Sequence, residues 1–135
     1  MSASTPANEF VADTMAFVLR LEGRKLGTAA RAAFDAAEAG TATIFVPAML
    51  CAEVLYLVEK RRISLTLTDV GAYLKRFPGC VEYPMSLAVV QAAAEINDVR
   101  ELHDRLIAGT ARVLQRPLIT NDPTLQASVW ITTLW

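Results

Sequence analysis

Four carboxylates in this chain sit where an isolated charge is costly. Asp13 directly follows the apolar run Phe10-Val11-Ala12, and Asp122 follows Pro117-Leu118-Ile119-Thr120, with the polar Asn121 between. Glu53 is embedded in MLCAEVLYLV and Asp104 in ELHDRLIAGTARVL. Taken singly, each has an ordinary explanation. Asp13 or Asp122 suits the N-cap of a following helix, Glu53 could pair with a basic neighbour, and Asp104 could pair with Arg100 or Arg105. Gathered at one edge of a fold, however, four acids repel one another and need a counter-cation. Oxygen ligands without His or Cys in the pattern select Mg2+ or Mn2+.

The elements that must position these acids alternate. Glu9 to Ala12 reads as a short strand running into Asp13. Thr28 to Ala39 is Ala-rich and helical, with Gly40 suited to the position after its end. Thr43 to Val46 is a β-branched and aromatic run, hence a strand, and Pro47 suits the first turn of a helix over Ala48 to Arg62. Thr66 and Asp69 form a capping-box pattern for a helix ending before Pro78 and Gly79. Cys80 to Tyr83 reads as a strand, Ser86 as the cap of a helix through Ile96, and Glu101 to Leu114 as a further helix. Pro117 to Thr120 is a fourth strand and Val129 to Leu134 a fifth. Short, almost wholly apolar strands alternating with helices predict an α/β fold: three α/β/α layers around a mostly parallel sheet of four to five strands. Ligands of such sheets bind beyond the carboxyl ends of the strands, where Asp13 and Asp122 fall. On the last long helix, Ile107, Ala108 and Ala111 share the face of Asp104, which turns that acid inward.

Composition narrows the function. The chain has 135 residues, 53% apolar and 20% charged, with a net charge of −1. One domain spanning 1–135 is expected, with residues 1–8 a flexible extension. The apolar fraction excludes a disordered linker, and the charge balance excludes a generic polycation that would hold nucleic acid by charge alone. Cys51 and Cys80 lack metal or disulfide spacing and read as reduced thiols. The first ten residues carry no secretory pattern. The most apolar stretch, Ala42 to Val58, falls short of the ~20 residues of a membrane span. The expected location is cytoplasmic.

The stretches VADT (Val11 to Thr14), VPAMLCAEVLYLVEKR (Val46 to Arg61), LHDRLIAGTARVL (Leu102 to Leu114) and PLITND (Pro117 to Asp122) resemble, in order and spacing, a PIN domain, and most closely the VapC-type toxins of toxin–antitoxin pairs. The resemblance covers nearly the whole chain. It implies a metal-dependent endoribonuclease, a hydrolase whose acidic quartet uses Mg2+, with Mn2+ as a substitute. By position, Asp13 matches the acid closing the first strand and Glu53 the acid in the helix after the second. Asp104 matches the acid of the D-R-L-I-A-type helix, and Asp122 the acid after the penultimate strand. Asp13 and Asp104 are expected to hold metal, with Glu53 and Asp122 joining directly or through water, and Thr14 and Asn121 in support. Met15 replaces a small polar residue or His of the family. Glu101 stands where many relatives have Asp, and reads better as a favourable charge at a helix N-terminus than as a ligand. The lone His103 is expected to serve the surface or packing.

Such a site hydrolyses phosphodiesters with a metal-activated water. Arg24 with Lys25, and Lys60, Arg61 and Arg62, are basic clusters that read either as solvated helix ends or as RNA contacts; Lys75 and Arg76 lean to the former. Trp130 and Trp135 read as packing residues. The resemblance further implies a VapB-like antitoxin that covers the groove, a homodimer and larger toxin–antitoxin assemblies. Rival readings are an RNA-maturation nuclease without a toxin role and an inert PIN-like binding module.

Overall fold

The computed structural model describes residues 8–135, so residues 1–7 of the expected extension lie outside the described residues. Asn8 is tied in: its side-chain amide donates to the Thr41 carbonyl (2.6 Å) and its own carbonyl accepts from the Thr43 amide (2.9 Å).

The elements follow as β1 (Glu9–Ala12), α1 (Thr14–Leu21), α2 (Thr28–Glu38), β2 (Thr43–Pro47), α3 (Ala48–Glu59), α4 (Leu67–Arg76), β3 (Cys80–Tyr83), α5 (Leu87–Glu95), α6 (Leu102–Leu114), β4 (Leu118–Ile119), α7 (Pro123–Gln126) and β5 (Thr133–Leu134). The five strands form one parallel sheet in the order β3-β2-β1-β4-β5. The chain builds outward from β1 to β3, then crosses back to β4 and β5. The order therefore reverses at the β1–β4 pair, the switch point at which open α/β sheets bind ligands.

Strand alternation divides the core in two. Val11 and Leu118 face one cluster, with Ile107, Ala108 and Ala111 of α6; their neighbours Ala12 and Ile119 face the other, with Phe17, Ala30, Phe34 and Val70 from α1, α2 and α4. Successive strand residues point to opposite faces, so two- and four-residue strands suffice to seat both layers. Helix α6 comes close to α5 at Gly109, where a Cβ would stand 2.8 Å from the Val89 carbonyl oxygen. Only glycine permits that approach.

Two helices and two boundaries depart most from the sequence reading. Helices α1 and α7 are not assigned by it. The run MAFVL reads equally as strand, and what makes it helical is Asp13 as N-cap; Asp122 does the same for the four-residue α7. Helix α3 stops at Glu59 rather than Arg62. Arg61 turns left-handed (φ 55°), and the amides of Arg61 and Arg62 return to Val58 and Leu57 in a Schellman closure. The last strand keeps only Thr133–Leu134, because Asp98 captures the preceding segment through the Ser128 hydroxyl (2.8 Å) and the Val129 amide (2.9 Å). Among the described residues no helix is long and apolar enough to cross a membrane.

Candidate active site

The switch point gathers the acids. Asp13 ends β1, and its amide donates to the Ile119 carbonyl (3.1 Å), locking it to the end of β4. Its carboxylate accepts the Ala16 amide (2.8 Å) as the cap of α1. Asp122 caps α7 through the Thr124 amide (2.8 Å) and the Leu125 amide (3.3 Å). The capping reading of these two acids holds, and the caps fix both carboxylates at the switch point. Glu53 arrives from α3. The Thr14 hydroxyl, expected to support Asp13 or its metal, donates instead to Glu53 Oε1 (2.5 Å).

Asp104 stands in the first turn of α6, below Glu101, whose carboxylate accepts the Asp104 amide (2.9 Å) and caps the helix. The Asp104 carboxyl is pushed up to about 6, first by burial and then by the charges of Glu101, Asp122, Glu53 and Asp13. Asp13 is likewise pushed up to about 6, chiefly by burial, with Asp122 and Glu53 adding repulsion against hydrogen bonds from Thr120 and Ala16. The four acids therefore share one electrostatic field across 110 residues of sequence.

Two neighbours go beyond the sequence reading. Thr120 is fully buried. Its hydroxyl oxygen accepts the Asp122 amide (3.0 Å), and its side chain lies beside Asp13 and favours that acid's charged form. Its place in PLITND, at the end of a strand and two residues before an acid, is the only signal that could have found it. His103 is exposed, as a surface role expects, and it also borders the acids: Nδ1 lies 3.3 Å from Glu101 Oε2 and 3.9 Å from Glu53 Oε2.

The remaining expected residues divide. Asn121 is exposed, and no hydrogen bond among the described residues ties its side chain to the acids. Met15 stands exposed. Arg24 pairs with Glu22 (3.2 Å), and Arg24 and Lys25 line a separate groove with Arg20 and Arg31. Arg62 lines the groove that contains Glu53, and the Lys60 ammonium sits over the Tyr56 ring.

Among the described residues, no Lys or Arg pairs with Asp13, Glu53, Asp104 or Asp122. Nor do three acidic, imidazole or thiol groups stand close enough to chelate an ion as arranged. The donor set still fits a hard divalent cation. It is all oxygen, partly buried, and among the described residues no Lys or Arg compensates its charge.

A sequence model of the PIN domain matches residues 10–128. Among solved structures, the chain is similar to VapBC2 from Rickettsia felis bound to a promoter DNA fragment, at 17% identity and a TM-score of 0.71, covering 94% of this chain and 98% of that one. It is similar to DNA-bound VapBC from Salmonella typhimurium, at 15% identity and a TM-score of 0.69, covering 94% and 97%. It also matches the VapC20 sarcin-ricin loop cleaving toxin of Mycobacterium tuberculosis, at 11% identity and a TM-score of 0.56, covering 91% and 98%. No curated protein matches significantly.

Proposed function

The chain belongs to the PIN domain family, and from that premise we propose that it is a Mg2+-dependent endoribonuclease, the toxin of a toxin–antitoxin pair. The observation that carries this reading is the set of carboxylates at the switch point, two of them pushed up to about 6, with no cation among the described residues to pair Asp13, Asp104 or Asp122. Asp13 and Asp104 would hold the ion, and Glu53 and Asp122 would join them directly or through water. A divalent ion bound there supplies an activated water and neutralises charge on the phosphate.

The chain's own residues do the positioning. Thr120 fixes the backbone at Asp122, the Ala16 amide fixes Asp13, Thr14 orients Glu53, and Glu101 sets the first turn of α6 that carries Asp104. Carboxylates held this way lose little freedom when they close on an ion. A VapB-like antitoxin would approach the same acids, where an Arg guanidinium offers bidentate charge pairing. The structural neighbours that are toxin–antitoxin complexes support that partner, and the VapC20 toxin supports RNA as substrate.

The test compares RNA from cells after brief induction of wild type and of Asp104→Asn, followed by cleavage of total RNA in vitro with and without Mg2+. Wild type is expected to cleave only with the ion, and Asp104→Asn to lose about 100-fold or more in rate. Growth arrest relieved by a neighbouring small gene product would support the toxin role. A folded Asp104→Asn protein that cleaves as fast as wild type in Mg2+ sinks the reading.

A further inference from the structure

We propose that the groove between α3 and the start of α6 is the subsite for the nucleotide adjoining the scissile phosphate, its base stacked on Tyr56 and its outer phosphate held by Arg62. The inference rests on the nuclease reading above. The groove encloses about 550 Å3 and is lined by Met49, Glu53, Tyr56, Leu57, Arg62 and His103, among others. Glu53 lies in its wall and also belongs to the acid cluster, so whatever fills the groove abuts the reacting phosphate.

The spacing along α3 suits one nucleotide. Met49, Glu53 and Tyr56 follow at i, i+4 and i+7, one stripe of the helix. Tyr56 therefore stands about one turn, ~5 Å along the axis, beyond Glu53. Tyr56 is 52% exposed in a groove whose apolar walls are Met49, Ala52 and Leu57, where a core tyrosine would be covered. The Lys60 ammonium sits over the ring, 5.6 Å from its centroid, and brings a positive charge to the same place.

The chemistry of the walls favours nucleic acid over a peptide. An unstacked base takes an aromatic face and apolar flanks, and its phosphates take cations. Here the aromatic face is followed immediately by Lys60, Arg61 and Arg62, and among the described residues none of these three cations makes an ion pair. The Schellman closure at Arg61 turns this basic triplet off the helix, leaving Arg62 in the groove wall rather than further along α3. His103 stands beside both acids of the groove, Nδ1 3.9 Å from Glu53 Oε2 and 3.3 Å from Glu101 Oε2.

The test measures binding of a fluorescein-labelled random-sequence RNA decamer by anisotropy, with every protein carrying Asp104→Asn so that binding is read without cleavage. Tyr56→Ala is expected to bind about tenfold more weakly, and Tyr56→Phe to stay within about twofold of the parent, since stacking needs only the ring. Arg62→Gln is expected to weaken binding and lower the salt slope by about one. In the otherwise native chain, Tyr56→Ala should raise KM more than it lowers kcat and change the nucleotide preferred beside the cut. Unchanged affinity in both Tyr56→Ala and Arg62→Gln overturns the proposal. So does a defect confined to antitoxin binding or self-association, which would assign the groove to a protein. Failure of the nuclease reading is read separately, from Asp104→Asn against wild type.

Discussion

The molecule carries two groups of carboxylates at opposite ends of its sheet, and their treatment is opposite. At the amino ends of β2 and β3, Glu38 and Asp35 meet Arg20: the guanidinium donates to both Glu38 oxygens (2.8 and 2.7 Å) and to Asp35 (2.7 Å), and the Tyr73 hydroxyl donates to Glu38 (2.5 Å). The Arg20 guanidinium holds Glu38 below the usual carboxylate range. At the carboxyl ends, Asp13 and Asp104 are pushed up to about 6. Where an acid serves only the fold, the chain provides the cation beside it. At the switch point the chain holds the acids in place by hydrogen bonds to Thr120, Thr14 and backbone amides and leaves most of their charge to something from outside.

The largest effect should come from breaking the compensated end. Arg20→Ala strands Glu38, whose side chain is 20% exposed, and should cost roughly 3 kcal/mol in urea unfolding. A cost below about 1 kcal/mol would mean that packing rather than charge holds that network. Next, the uncompensated end should respond to a cation. At pH 7, Mg2+ at about 100 times its Kd should stabilise wild type by about 2.7 kcal/mol in thermal unfolding, and a melting temperature indifferent to Mg2+ would remove the contrast.

Asp13→Asn keeps an oxygen for the Ala16 amide and removes a buried charge. The metal-free variant should gain on the order of 2 kcal/mol over wild type at pH 7 while losing Mg2+ stabilisation and cleavage. The sign follows from the raised value. Between the unfolded value of 3.8 and about 6, the folded state binds the extra proton, so metal-free wild type should lose stability as pH rises through that window. The gain of Asp13→Asn should accordingly vanish near pH 4. The smallest effect is expected from Thr120→Val, which keeps the shape and loses the hydroxyl: about 1 kcal/mol of stability and about tenfold in cleavage rate. A rate equal to wild type would show that Asp122 keeps its place without the hydroxyl.

The uncompensated end of this contrast was legible in the sequence, and the illegible part has a pattern. The Thr66–Asp69 capping box, the alternation of strands and helices, and Asp13 and Asp122 at the ends of apolar runs are all signalled within three or four residues. Glu101 was readable as a helix-terminal charge for the same reason. What escaped depends on partners far away in the chain. The Thr14 hydroxyl goes to Glu53, 39 residues on, and His103 reaches the same acid from α6. Of the basic clusters, the one at Arg24 and Lys25 falls in a groove away from the acids, while Arg62 joins the groove of Glu53. Nothing local distinguishes those two clusters.

The sequence by itself determined a PIN-like α/β/α fold and placed its acids at strand ends and on helix faces, because hydrophobic periodicity, caps and turns are short-range effects written in adjacent residues. Tertiary structure alone decided which acids share a field and which residues tie them together. That depends on the strand order β3-β2-β1-β4-β5, which brings the end of β4 beside β1 across more than 100 residues. Electrostatic coupling follows distance through space, and no local pattern encodes that distance.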